Sequence, residues 1–281
     1  MRGFSSSSSV YACIVAQTKL FFEGVSRQYG TARSLAPTMN IVRMRGHDVE
    51  TQLHLEEALF RTTGSNWLVV NDGVAVPSIV LGISGKPEVM AHVDDATRMG
   101  VPLIKRFTGG GTVVVDKDTV MMSIIVHGER DLPGVERFPR QIMEWCAGFL
   151  SGHMSAYGDF ALRENDFVIG DRKIGGNAQA ISGGRWLHHT SFLFDYRDEL
   201  MGLLKTPPKA PQYRSNRSHG EFVTRVCDIS ADREGFVTGI IESVERQGVF
   251  KGLHISEEEA MDVLEKAKRR TGAVFGTKRL V

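Results

Sequence analysis

Arg106-Phe107-Thr108-Gly109-Gly110-Gly111-Thr112 lies between two apolar, strand-like stretches, residues 103–107 and 112–116. Three consecutive glycines take every Cβ away from this turn, so its backbone N–H groups can come close to a ligand and adopt positive φ. Clustered amides form anion-binding concavities, and Arg106 adds a planar, permanently charged fork suited to carboxylate or phosphate. The same glycines also suit a plain turn between strands. The stretch has neither the closing Gly-Lys-Ser/Thr of a Walker A loop nor the GxGxxG of a dinucleotide-binding turn.

Working outward, residues 112–116 and 119–127 flank Lys117-Asp118 and read as a β-hairpin. Upstream, residues 67–71 and 78–83 are strand candidates, while Leu53, Leu55, Leu59 and Phe60 alternate with Glu56 and Glu57 in an early helix, residues 52–61. Downstream, Phe138, Ile142, Met143, Cys146 and Phe149 recur at helical spacing over residues 137–151, and residues 160–196 are strand-rich. Two helices are expected to close the chain. Phe236, Val237, Ile240, Ile241 and Val244 form one face of the first; Ser256 and Glu259 make a capping box for the second, ahead of Val263, Leu264 and Ala267. Strands grouped with helices packed on them, without regular βαβ alternation, indicate an α+β fold with a mixed or antiparallel sheet.

The 281 residues carry 34 Lys+Arg against 33 Asp+Glu, and a balance so close to zero argues against a nucleic-acid partner. No apolar run approaches the roughly 18 residues of a membrane span. The balance conceals an asymmetry: residues 1–39 hold Arg2, Lys19, Arg27 and Arg33 against Glu23 alone, so the head is +3 and the remainder −2. This head also contains the Ser5–Ser9 run and interleaves Phe4, Val10, Ile14, Leu20 and Phe21 with its basic residues. Ser-rich, Arg-containing and acid-poor composition is that of an organelle transit peptide, with a disordered tail as the bland reading and Met39 or Met44 as later starts. Cys13, Cys146 and Cys227 show no CxxC spacing and suit a reducing compartment; Cys146 reads as core.

Two further segments carry chemistry. Glu164-Asn165-Asp166 precedes Gly170-Asp171-Arg172-Lys173-Ile174-Gly175-Gly176-Asn177-Ala178-Gln179, where a lysine two residues ahead of paired glycines is presented rigidly, as suits a negative charge that grows during reaction. Its bland reading is a hairpin with Lys173 in solvent. In Trp186-Leu187-His188-His189-Thr190-Ser191 the adjacent histidines of a strand point to opposite faces, so a shared zinc site is not expected. One histidine is expected at the surface and the other in a hydrogen-bonded pocket.

Taken in order, Arg106-x-Thr-Gly-Gly-Gly-Thr-x-x-x-Asp116, Glu164-Asn165-Asp166, Asp171-Arg-Lys173-Ile-Gly-Gly-Asn-Ala-Gln179 and His188-His-Thr-Ser191 resemble the lipoate-protein ligase A family, part of the wider biotin/lipoate ligase and octanoyltransferase superfamily. The resemblance runs from about Gln52 to Asp228 and is nearest to short eukaryotic members lacking the C-terminal accessory domain. It implies a biotin/lipoate ligase-like catalytic domain over residues 44–250, followed by a helical extension, 251–281. It implies ATP-dependent activation of lipoate to lipoyl-AMP and transfer to a lysine of apo lipoyl domains, in 2-oxoacid dehydrogenase E2 subunits or glycine-cleavage H protein. Lys173 would be catalytic. Arg106, Gly109, Gly110, Gly111, Thr112, Val113, Val114, Asn165, Asp166 and Lys173 would bind ATP or the acyl-adenylate, with Mg²⁺ accompanying ATP and Asp166 near it. Lys173, Gly175, Gly176, Ala178 and His189 would line the lipoyl pocket. A mitochondrial address fits these partners, with plastid or cytoplasm as alternatives.

The short C-terminus raises three expectations, a separate accessory protein, use of preformed acyl-adenylate, or acyl transfer from a preformed acyl donor, and Gly82-Ile-Ser-Gly-Lys-Pro departs from the bacterial version of that segment. Two rivals stand beside the ligase. An octanoyl or lipoyl transferase would need an activated thiolate, for which Cys227 is the downstream candidate; Arg225-Val-Cys227-Asp does not match the PCG-like nucleophile motif of transferases. The second rival is a non-catalytic lipoyl-domain-binding protein, which would have no use for a charged, Gly-lined pocket.

Overall fold

The computed structural model describes residues 36–271 and 275–281. The expected address segment, residues 1–39, lies outside the described residues as far as residue 35. Its last residues are part of the fold: β1 (Thr38–His47) starts at Thr38, and Met39 is fully buried.

The elements follow local chemistry. α1 (Val49–Thr62) begins where Asp48 accepts from the Thr51 amide at 2.8 Å, satisfying one of the unpaired donors of a helix start. After it come β2 (Asn66–Val74), β3 (Ser78–Leu81), β4 (Leu103–Lys105), β5 (Gly109–Gly110), β6 (Val113–Val115) and β7 (Thr119–His127). α2 (Pro139–Met154) opens on a proline, whose missing N–H costs nothing there. Then come β8 (Phe160–Arg163), β9 (Asp166–Ile169), β10 (Arg172–Ser182) and β11 (Arg185–Leu193). α3 (Arg233–Gln247) is capped by Asp232 and stopped at Gly248, which takes φ 63°. β12 (Lys251–His254) and α4 (Glu257–Thr271) follow, the latter opening on the expected Ser256–Glu259 capping box, and β13 (Lys278–Arg279) ends the described chain.

The large sheet runs β12-β1-β2-β7-β11-β10-β9-β8, with β5 added onto β10. β12, β1 and β2 are parallel and the remaining pairs antiparallel, which makes the sheet mixed. A smaller sheet runs β13-β4-β3-β6. One face of the large sheet packs on α2 and α3, through Ile142, Cys146, Phe149, Phe236 and Ile240; the other packs on α1 and α4, through Leu55, Leu59, Ala260 and Leu264. Cys146 is fully buried in the first of these layers, where burial pushes its thiol pKa well up.

Two expectations are corrected. Residues 112–116 and 119–127 are consecutive strands joined by a tight turn, with the Thr119 amide on Asp116 O at 3.0 Å, yet they do not pair. β6 pairs with β3 in the small sheet, because both edges of β7 are already taken by β2 and β11. Residues 251–281 are not a helical extension alone: β12 joins β1 and β13 joins β4, so this segment completes one edge of each sheet.

Starting the chain at Met44 would remove the buried Met39, Ile41 and Val42 and most of the pairing of β1 with β2 and β12. Each such side chain contributes roughly 1.5–3 kcal/mol by its burial, against a total stability of about 5–15 kcal/mol. A protein starting at Met44 is expected to lose cooperative thermal unfolding by circular dichroism, while one starting at Ala36 keeps it.

Candidate active site

The glycine loop is a small strand folded onto the sheet. Gly109 and Gly110 pair with Gln179 and Ala178 of β10, and Gly110 has φ 124°. A Cβ on Gly110 would stand 2.7 Å from a guanidinium nitrogen of Arg106, and one on Gly82 would stand 2.2 Å from Gly110 O. Glycine is therefore required at Gly82 by close approach, and at Gly110 by close approach as well as by φ. Arg106 is 2% exposed; its Nη2 donates to Gly111 O at 2.7 Å and its Nη1 to Val80 O at 3.3 Å. Burial lowers its pKa to about 10, with the Glu56 charge working the other way, so the group is charged at neutral pH. The expected phosphate fork is turned toward loop carbonyls and shapes the loop from beneath. Thr112 Oγ1, also buried, has no hydrogen-bond partner among the described residues.

Lys173 comes from β10 at an irregularity: pairing with β9 shifts register between Lys173 and Gly175. The bulge turns Lys173 into the site, with its side chain 22% exposed and Nζ 2.8 Å from Asp166 Oδ1. A Cβ on Gly176 would lie 3.2 Å from that Nζ, so this glycine makes room for the cation. Asp166 Oδ2 accepts from the Tyr213 hydroxyl at 2.8 Å. Burial, followed by the Asp166 charge and hydrogen bond, holds the Tyr213 phenol far above its ordinary pKa and keeps it a donor. Both carboxylate oxygens of Asp166 are thus engaged, one with Lys173 and one with Tyr213. Among the described residues no group of three or more His, Cys, Asp or Glu side chains is placed to hold a metal.

The two histidines of β11 do point to opposite faces, and neither is exposed. On the α1 side, His189 Nδ1 donates to Glu56 Oε2 at 2.9 Å, while Glu56 Oε1 accepts from Ser123 at 2.6 Å and Gln52 at 2.9 Å. These bonds compensate a carboxylate with no solvent access. On the α2 side, Gln179 Nε2 donates to His188 Nδ1 at 3.0 Å, so the proton of the neutral ring sits on Nε2, facing Thr190 Oγ1 at 3.3 Å. Thr190 donates to Asn177 Oδ1 at 2.7 Å, and Asn177 Nδ2 donates to Asn165 O at 3.1 Å. This chain runs behind the site and ends on the backbone that presents Asp166.

These groups surround a cavity of about 600 Å³, a volume usual for small-molecule sites. Arg106, Gly109, Gly110, Gly111, Thr112, Val113, Val114, Asn165, Asp166, Lys173, Gly176, Ala178 and His189 all line it. Gly175 is not among the lining residues; its α-carbon packs on β11, where a Cβ would come within 2.9 Å of Thr190 Cγ2. Cys227 is also absent from the lining, and burial, followed by the charges of Asp195 and Asp228, raises its thiol pKa. Sequence reasoning missed the wall built by residues 204–223, including Arg214, His219 and Phe222, and Tyr213 beside it, which reaches Asp166. Its signal, Tyr-Arg-x-x-Arg-x-His over residues 213–219, has no periodicity and no glycine cluster to mark it.

Residues 48–246 match the family described as Lipoyl protein ligase A/B catalytic domain. The inactive lipoate–protein ligase 2 of Plasmodium falciparum is 28% identical over 233 residues, 62% of this chain and 60% of that protein. The chain spans about half to three fifths of the length of three curated relatives it matches. In fold it is similar to a chain from the bipartite lipoate protein ligase system of Thermoplasma acidophilum, with TM-score 0.66, 19% identity and coverage of 83% of this chain and 93% of that one. It is similarly related to lipoate-protein ligase A bound with ATP, with TM-score 0.65, 19% identity and coverage of 84% and 95%.

The buried His188 makes a measurable prediction. Burial, and then the His189 charge, lower its pKa to about 3, whereas an unfolded histidine titrates near 6.5. Between those values the unfolded chain binds a proton that the folded chain refuses, so stability falls as pH drops below about 6.5. The loss at pH 5 is about 2 kcal/mol. A His188→Gln variant is expected to show a smaller drop in urea midpoint between pH 7 and pH 5; an undiminished drop would remove His188 as its source.

Proposed function

The chain belongs to the lipoyl protein ligase A/B catalytic-domain family, and from that premise we propose that it activates lipoate with ATP and transfers the lipoyl group to a lysine of a lipoyl-carrier domain. The observation that carries this reading is Lys173, held by Asp166 at 2.8 Å in a cavity it shares with the Gly109–Gly111 loop. A lipoate carboxylate oxygen attacks the α-phosphorus of ATP; a P–O bond forms, the α–β bridging bond breaks and pyrophosphate departs. The neutral amine of a carrier lysine then attacks the acyl carbonyl, the amide forms, AMP leaves and the amine proton is released.

Both steps gather negative charge where ground-state charge is already high. Lys173 and the loop amides meet that charge with donors set before reaction, so catalysis is by positioning and electrostatics and no protein nucleophile is needed. His189, fixed by Glu56, and the apolar Val114 and Met121 provide a cavity wall with a mixed character that suits an acyl chain ending in a carboxyl group. Magnesium enters this proposal with the nucleotide substrate, near Asp166, whose carboxylate also holds Lys173 and Tyr213. The bipartite Thermoplasma system is the precedent for a separate accessory protein, and its E2 lipoyl domain for a carrier partner. A mitochondrial setting for residues 1–35 remains part of the proposal, tested by import of the full chain.

A relative named inactive makes turnover, beyond binding, the quantity to measure. Mass spectrometry of an apo lipoyl domain incubated with the full chain, ATP, Mg²⁺ and lipoate is expected to show ATP-dependent lipoylation. Lys173→Ala should lower the rate on the order of 10²- to 10³-fold, the scale of removing one preorganised donor, with the thermal unfolding midpoint preserved. Cys227→Ser should leave the rate unchanged. Transfer from an octanoyl-carrier protein without ATP, lost in Cys227→Ser, would replace the ligase by a thioester acyltransferase.

A further inference from the structure

Most cations around the cavity are already compensated. Arg106 donates from Nη1 and Nη2 to the carbonyls of Val80 and Gly111, Lys173 pairs with Asp166, and Arg217 pairs with Asp171 at 3.1 Å and donates to the carbonyls of Tyr213 and Asp171. Arg214 differs from these. It lines the cavity and is 5% exposed, yet it makes no ion pair with a described residue. Its Nε donates to Arg217 O at 2.9 Å, and its guanidinium carbon lies 5.1 Å from the centre of the Phe222 ring. Those two contacts fix the plane of the fork and leave Nη1 and Nη2 without a hydrogen-bond partner among the described residues.

We propose that Arg214, together with His219, forms a phosphate-binding subsite in the cavity wall built by residues 204–223. The subsite rests on the ligase reading for its ligand: a phosphoryl group of the nucleotide, or the pyrophosphate it releases. A buried, charged guanidinium whose Nη groups meet neither a carboxylate nor a carbonyl is unfavourable unless an anion joins it. Its two free Nη groups form the planar pair that recognises phosphate through parallel hydrogen bonds. His219 lines the same cavity; burial and the charges of Arg214 and Lys173 lower its pKa, which places three basic side chains within electrostatic reach of one another. A neutral His219 still supplies one N–H donor. Arg214 thereby gives the site a second fixed cation on a chain segment remote in sequence from Lys173, so two phosphoryl oxygens can be held from different walls.

The test is calorimetric titration of the full chain with AMP, inorganic pyrophosphate and adenosine. Arg214→Gln is expected to weaken AMP or pyrophosphate at least about tenfold, as befits loss of a charge-assisted pair, while adenosine binds as before; Arg214→Lys should fall between. Loss confined to AMP assigns the subsite to the phosphate retained by the nucleotide, and loss confined to pyrophosphate assigns it to the leaving group. The subsite is overturned if Arg214→Gln binds both probes like the native chain, if the native chain binds neither, or if adenosine is lost equally. Should Arg214→Gln fail to unfold cooperatively, His219→Gln takes its place, with a roughly threefold loss expected for the same probe from one removed donor and no change overturning the proposal. Absent lipoylation with intact Arg214-dependent phosphate binding would sink the ligase reading and leave the subsite standing.

Discussion

Arg106 is buried without a carboxylate touching it, and much of the site's architecture follows from how the chain compensates that charge. The guanidinium donates its hydrogen bonds to the carbonyls of Gly111 and Val80. To bring those carbonyls in, the loop must pass so close that Gly110 has no room for a side chain. The loop then lies flat enough for Gly109 and Gly110 to pair with β10, the strand that carries Lys173. A charge that cannot reach water therefore couples the glycine loop to the lysine strand. The more distant Glu56 charge supports it from the α1 side and is itself held by Ser123, Gln52 and His189.

A second constraint is that a strand has two edges. β7 gives both to β2 and β11, which sends β6 across to the small sheet. The cavity lies where the sheets diverge, with Val80 and Val114 from the small sheet and Met121, His189 and Ser191 from the large one. Had residues 112–116 and 119–127 formed the expected hairpin, those walls would belong to a single sheet and the glycine loop would have no cleft to cover. The C-terminal strands serve the same arrangement, closing an edge of each sheet from a segment whose sequence advertises only helix.

Much of the site was legible because its chemistry is written in compact runs. Three glycines beside an arginine, a lysine before paired glycines, and an Asn-Asp step each announce a backbone or charge requirement, and all three contribute residues to one cavity. Gly175 was misread for the opposite reason: its neighbour Gly176 clears space for Lys173, while Gly175 clears space for Thr190 and Phe192 of the adjoining strand, and the dipeptide does not distinguish the two. The histidine pair gave the correct alternation but not the burial, because α1 and α2 cover both faces of β11. Residues 204–223 carried no signal; their importance comes from Tyr213 reaching Asp166 across 47 positions of sequence.

By itself the sequence determined the α+β class, the long helices and their caps, and the residue types available for anion chemistry. All of these depend on periodicity or on neighbours within a few positions. Tertiary structure decided which strand edges pair, that Arg106 faces carbonyls, that Asp166 is shared between Lys173 and Tyr213, and that Arg214 stands in the cavity wall without a counter-charge. Those outcomes depend on contacts between residues far apart in the chain and on which charges lose access to water, and neither is encoded locally.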